Sequence, residues 1–88
     1  MYLKITVPSE SLANAVIETA IRCGPEPLDL KEYRNGEREL IFSVYLKATV
    51  EKLTECRKTI VKSSYFDPEK FEFRIAQEMA TLRSESED

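Results

Sequence analysis

Few residues in this 88-residue chain could take part in catalysis or hold a metal ion. The sequence has no histidine, which is the most frequent general base near neutral pH, so Ser/His and Cys/His nucleophile pairs are also excluded. The two glycines, Gly24 and Gly36, are too few for a phosphate-binding loop. The neighbouring carboxylates Glu37 and Glu39 flank a predicted hairpin and are interpreted as solvated surface charges. We therefore expect no enzyme activity and no catalytic residue, cofactor or metal site.

The two cysteines, Cys23 and Cys56, are too far apart in sequence to form a redox motif or a zinc-binding pair. A free cysteine in a core is the more frequent situation, and we expect it for both. No segment is apolar enough to cross a membrane, and the N-terminus has no signal-peptide pattern. The expected location is therefore the cytoplasm, where thiols stay reduced.

The charge distribution separates a folded domain from a short tail. The net charge is −3, and the run from Ser84 to Asp88 contains three of the acidic residues. We expect one domain over residues 1–83 and a disordered acidic tail over residues 84–88. The remaining charges balance, which argues against non-specific nucleic-acid binding. Few Asn and Gln residues beside many Glu, Lys and Arg residues are a thermophile tendency.

Periodicity predicts the element order β-α-β-β-α. Residues 1–7 alternate as a half-buried strand, and Ser9 is a typical N-cap for a helix that stops before Gly24. Two further strands follow, and a second helix is predicted over residues 48–64. The segment from about residue 68 fits either a strand or a helix, and its apolar spacing slightly favours the helix.

A hairpin turn is predicted at Asn35-Gly36. A three-residue bulged loop would place Leu30 opposite Leu40 and Glu32 opposite Arg38, which is a favourable cross-strand charge pair. A two-residue loop would put the apolar residues of the two strands on opposite faces. We therefore favour the bulged loop.

This order is typical of an α+β, ferredoxin-like, split β-α-β antiparallel sheet with both helices on one face. The other face, here called the far face, would then be open. Its expected residues are Tyr2, Lys4, Thr6, Lys31, Tyr33, Ile41, Ser43 and Tyr45. From these, Tyr2, Lys4, Tyr33, Ile41 and Tyr45 are the candidate partner-binding residues.

The far face has two interpretations. The rings of Tyr2 and Tyr45 would lie close together on adjacent strands, as in the base-stacking platform of RNA-recognition domains. The face is also half apolar, which favours cover by protein. The cover would be a second copy, another subunit, or the C-terminal helix folded back with Phe71, Ile75, Met79 and Leu82, and we favour protein cover over single-stranded RNA.

The second helix carries a group of basic residues. They are Lys52, Arg57, Lys58 and Lys62. They are candidates for contact with phosphate or an acidic partner, although an ordinary solvated helix face is the more frequent case.

A family resemblance follows from the order of short segments over residues 1–62. The strand and cap Ile5-Thr6-Val7-Pro8-Ser9, an alanine-bearing helix, the link Gly24-Pro25-Glu26-Pro27 and a long helix after Leu46 resemble the small dimerisation subunit of the KEOPS tRNA threonylcarbamoyl-adenosine complex. Ser9 stands where that family often has an aromatic residue. The resemblance implies a non-catalytic subunit that dimerises, docks on a catalytic subunit and supports tRNA binding.

The predicted function is that of an accessory or assembly subunit acting by protein–protein contact as a homo- or heterodimer. The alternatives are a single-stranded RNA-binding module that uses the far face, and a small regulatory or viral inhibitor protein. The sequence does not identify the partner.

Overall fold

The computed structural model describes the backbone of residues 1–35 and 39–86, and the side chains of residues 1–27 and 41–82. The elements are β1 (Tyr2–Val7), α1 (Glu10–Cys23), β2 (Glu26–Asn35), β3 (Glu39–Lys47), α2 (Val50–Val61), β4 (Glu72–Ala76) and α3 (Met79–Ser86). The strands form an antiparallel sheet in the order β2-β3-β1-β4. This arrangement confirms the ferredoxin-like α+β class. Within the part of the chain described, no helix is long and apolar enough to span a membrane.

Capping residues set the limits of α1. The Ser9 hydroxyl accepts a hydrogen bond from the Leu12 N–H at 3.3 Å, as predicted for an N-cap. At the other end, Gly24 has φ +108° and donates its N–H to the Ala20 carbonyl at 3.0 Å. Residues with a side chain rarely adopt this backbone conformation, so glycine ends the helix here.

The second helix, α2, also begins at a capping residue. The Thr49 hydroxyl accepts from the Lys52 N–H at 3.4 Å, and Leu53, Cys56 and Ile60 form the buried stripe of the helix. The spacing of these three residues is helical, so one face of α2 packs on the sheet while its charged residues stay outside.

The core lies between the sheet and the helices α1 and α2. Its members are Leu3, Ile5, Val7, Ala13, Val16, Ala20, Phe42, Val44, Leu46, Leu53, Cys56, Ile60 and Phe71. The predicted alternation of core-facing and far-face residues along β1 and β3 is therefore confirmed wherever their side chains are described. The Phe66 and Phe71 rings, whose centroids are 5.1 Å apart, extend the apolar packing into the loop before β4.

The C-terminal segment forms a strand that is followed by a helix. The preference for a helix from about residue 68 is wrong, because residues 72–76 form β4 and pair with the free edge of β1. Ile5 lies opposite Phe73 in this ladder, so sheet pairing overrides the local helical spacing. The helix α3 begins at Met79 and continues through Ser86, into the predicted acidic tail. Residues 87–88 of that tail lie outside the described residues.

The predicted register of the β2–β3 hairpin is wrong by four residues. Leu30 lies opposite Val44 rather than Leu40, and Glu32 lies opposite Phe42 rather than Arg38. A shift by an even number keeps residues 29–35 at positions of their predicted faces, whereas the pairing is irregular between Pro27 and Asp29. The observed register places the backbone of Leu30 opposite Val44, which is fully buried, whereas the charge pairs that favoured the predicted register contribute only roughly 0.2–1 kcal/mol each. The turn itself, residues 36–38, lies outside the described residues.

Candidate interaction surfaces

The far face of the sheet is built by β1 and β3. Direct pairing of Lys4 with Tyr45 and of Thr6 with Ser43 puts these side chains on the face opposite to the core. The hydroxyl oxygens of Thr6 and Ser43 are 3.5 Å apart. The backbone of Tyr33 lies opposite Ile41, so Tyr33 occupies a far-face position, and its side chain lies outside the described residues.

The centre of the far face is covered by the chain itself. Tyr45 is 0% exposed and Lys4 is 4% exposed, although both were expected to face a partner. Leu82 of α3 is 1% exposed and, like Tyr45, is not part of the core between the sheet and α1/α2. Because α3 packs against β4 and buries Leu82, we interpret α3 as the cover of this face. Of the three covers considered, the C-terminal helix is therefore the one that the single chain supplies, although two of its four expected residues do not take part, since Phe71 belongs to the core and Ile75 stays exposed.

The predicted pair of stacking aromatic residues is wrong. A fully buried Tyr45 ring offers no face to a base, so the far face does not form the RNA-stacking platform. Tyr2 is half-buried and has the Lys47 ammonium nitrogen 6.0 Å from its ring centroid. Ile41 is also half-buried, so Tyr2 and Ile41 remain partly accessible among the far-face candidates whose side chains the structure describes.

The four basic residues of α2 are exposed. The Arg57 guanidinium carbon lies 5.2 Å from the ring centroid of Phe73, and Lys58 is 3.8 Å from the carboxylate of Glu55. Lys62 and Arg57 share a shallow groove of about 300 Å³ on the outer surface of α2. Contact of this basic surface with an acidic partner or phosphate stays a prediction.

A second cavity, with a volume of about 430 Å³, lies between α1 and α2, and it was not predicted from the sequence. Its lining residues are Thr19, Arg22, Cys23, Thr59, Lys62, Ser63 and Tyr65. The hydroxyls of Thr19 and Tyr65 are hydrogen-bonded at 2.6 Å. Thr19 is a polar residue on the apolar stripe of α1, and this irregularity was the signal available in the sequence.

The two cysteines are free, and Cys56 is buried while Cys23 is partly buried. Burial raises the pKa of the Cys56 thiol to about 12, and the influence of Cys23 adds to the shift. Within residues 1–35 and 39–86, no three His, Cys, Asp or Glu side chains are grouped so that they could hold a metal ion.

The two edges of the sheet are β2 and β4. β2 is a ten-residue strand, whereas β4 has five residues. Beside the β4 edge, Ile75 is 48% exposed. A long edge strand and an edge with an exposed apolar side chain are both features that favour pairing with another chain.

The fold has solved relatives. It is similar to CutA from Synechococcus elongatus, with a TM-score of 0.55 and 20% identity over 94% of this chain and 82% of that one. It is also similar to the periplasmic divalent cation tolerance protein CutA from Archaeoglobus fulgidus, with a TM-score of 0.51 and 17% identity over 88% of this chain and 83% of that one. No protein-family model matches the sequence, and no curated protein matches it.

These neighbours overturn the KEOPS resemblance, which is wrong. That resemblance rested on the order of elements, and many proteins share the ferredoxin-like order, so element order does not separate one family from another. At these identities the likeness concerns the fold, and the chain has the fold of the CutA proteins.

Proposed function

We propose that this chain is a non-catalytic subunit that works by contact with other protein chains, and that its partner is a second copy of itself. The β2–β3 hairpin is the observation that carries this proposal. β1 pairs with β3 only from Phe42 to Lys47, whereas β3 begins at Glu39 and β2 continues to Asn35. The end of the hairpin therefore extends beyond β1 as a two-stranded ribbon.

A ribbon of this kind favours a partner. Two strands alone are marginally stable in water, and a third strand or a packed surface stabilises them. In the described chain, residues 39–41 pair with β2 alone, and the outer edge of β2 pairs with no strand. Both edges of the ribbon can therefore donate and accept backbone hydrogen bonds with an added strand.

The β4 edge supplies a matching surface on the next copy. Ile75 lies opposite Leu3 on the helix side of β4 and stays exposed in the single chain. Tyr2, which lies opposite Ala76, is half-buried beside the same strand. Pairing of β2 from one copy with β4 of the next would continue the sheet and bury Ile75. Such a contact joins two different surfaces of neighbouring copies. Repeated copies would therefore form a closed ring if the rotation from one copy to the next closes on itself.

Two charge substitutions test the contact. Ile75→Lys places a charge at the β4 edge and is expected to weaken self-association roughly ten- to a hundredfold, because the burial of one isoleucine is lost. Ile21→Lys is the matched control, since Ile21 is 63% exposed and lies on α1 rather than on an edge strand. Native mass, measured by size-exclusion chromatography with light scattering, reports the effect.

The proposal requires a difference between the two variants. Ile75→Lys should shift to the mass of one chain with an unchanged circular-dichroism spectrum, while Ile21→Lys keeps the assembled mass. Equal masses for both variants would contradict a contact at β4.

A further inference from the structure

The cavity between α1 and α2 combines two positive charges with several hydroxyl groups. Arg22 and Lys62 supply the charges, and both side chains are exposed to solvent. Among the residues whose side chains the structure describes, no carboxylate forms an ion pair with either cation, and the described lining contains no Asp or Glu. The charge of the cavity is therefore left to attract an anion from solution.

The hydroxyl protons of the lining point into the protein. Thr19, Thr59 and Ser63 each donate to a backbone carbonyl three or four positions earlier in the chain. A hydroxyl group has one proton, so in the 2.6 Å bond between Thr19 and Tyr65 it is Tyr65 that donates. The oxygens of Thr59, Ser63 and Tyr65 can therefore accept further hydrogen bonds but have no proton left to donate.

These features define the chemistry of a matching ligand. It needs an anionic group for the two cations and hydroxyl groups that donate to the waiting oxygens. A phosphate monoester carries about −1.5 to −2 charges at pH 7, which balances two cations, whereas a carboxylate carries only one. Arg and Lys side chains are also the usual partners of phosphate. The cavity volume of about 430 Å³ is that of a small-molecule site.

We propose that this cavity binds the phosphate monoester of a sugar or another polyol. The phosphate lies with Arg22 and Lys62, and the ligand hydroxyls donate to the oxygens of the lining. The lining residues belong to α1, α2 and the segment that follows α2, and none belongs to an edge strand of the sheet. Binding is therefore separate from the self-association proposed above.

The test is a titration of the full chain, labelled with ¹⁵N, with glucose 6-phosphate, followed by NMR. Amide signals of residues 19–23 and 59–65 should shift, with a Kd of roughly 1 mM or below for a ligand of this size. Inorganic phosphate, glucose and gluconate should each bind at least roughly tenfold more weakly, because each lacks the hydroxyls or the phosphate. No shift in these two segments, or inorganic phosphate binding as tightly as glucose 6-phosphate, would overturn the proposal.

A pair of charge variants tests the position of the phosphate. Arg22→Ala combined with Lys62→Ala should weaken the binding of glucose 6-phosphate at least roughly tenfold. Arg57→Ala combined with Lys58→Ala is the matched control, since it removes the same charge from exposed positions of α2 outside the described lining. An equal loss of affinity in both variants would show attraction to net charge alone and contradict a site in the cavity.

Tyr65→Phe tests the recognition of the ligand hydroxyls. The variant keeps the ring, and Thr19 keeps its hydrogen bond to the Ala15 carbonyl, so no buried donor is left without a partner. We expect glucose 6-phosphate to bind roughly three- to tenfold more weakly and inorganic phosphate to bind as before, because only one acceptor is lost. An unchanged affinity for glucose 6-phosphate, or an equal loss for both ligands, would contradict this role of the Tyr65 oxygen.

Discussion

Tyr45→Ala is expected to lower the free energy of unfolding by about 3–5 kcal/mol, which is a large part of the stability of a domain this small. The Tyr45 side chain is completely buried on the face of the sheet that α1 and α2 do not cover. Removing the ring leaves a cavity beneath α3, since the backbone of β3 is fixed by β1 and β2 on either side. Urea denaturation followed by circular dichroism measures the change.

Two tyrosine variants serve as controls. Tyr45→Phe keeps the ring and should cost no more than about 1.5 kcal/mol for the lost hydroxyl interaction. Tyr2→Ala changes the same residue type at a half-exposed position of the same face and should cost under about 1 kcal/mol. A cost for Tyr45→Ala as small as that for Tyr2→Ala would contradict the cover by α3, and would return the far face to an open surface.

Shortening the β2–β3 hairpin is expected to abolish self-association and leave the fold intact. The variant removes residues 34–40 and joins Tyr33 to Ile41 through Asn-Gly, a turn that suits a two-residue loop. It deletes the pairs of Arg34 with Leu40 and of Asn35 with Glu39, which lie beyond the end of β1, and none of the core residues among the side chains that the structure describes. Light scattering should report the mass of one chain.

The matched control changes the turn without shortening the strands. Replacing residues 36–38 alone by Asn-Gly keeps the two residue pairs that the shortened variant loses. This control should therefore keep the assembled mass. If the shortened chain still assembles as the control does, the hairpin end is not the contact. A shortened chain that fails to fold, beside a folded control, would show that these pairs stabilise the single chain.

The parts of the fold that local sequence determines were predictable. Alternation in β1 identified Leu3 and Ile5 as core residues, and the caps at Ser9 and Gly24 delimited α1. These signals act over a few residues, so they do not depend on the rest of the chain.

The errors all concern contacts between distant segments. The sequence around β4 fits either a strand or a helix, and pairing with the free edge of β1 makes it a strand. In the observed hairpin register, Leu30 lies opposite the buried Val44. The charges on the two strands do not indicate this pairing. The cover of Tyr45 has no local signal either, because it requires the positions of two elements at once.

The native mass of the unaltered chain tests the central claim most directly. Size-exclusion chromatography with light scattering, repeated over a range of concentrations, should give a multiple of the 10.2 kDa chain mass. A mass of one chain at every concentration would contradict self-assembly through the sheet edges and leave a different protein as the required partner.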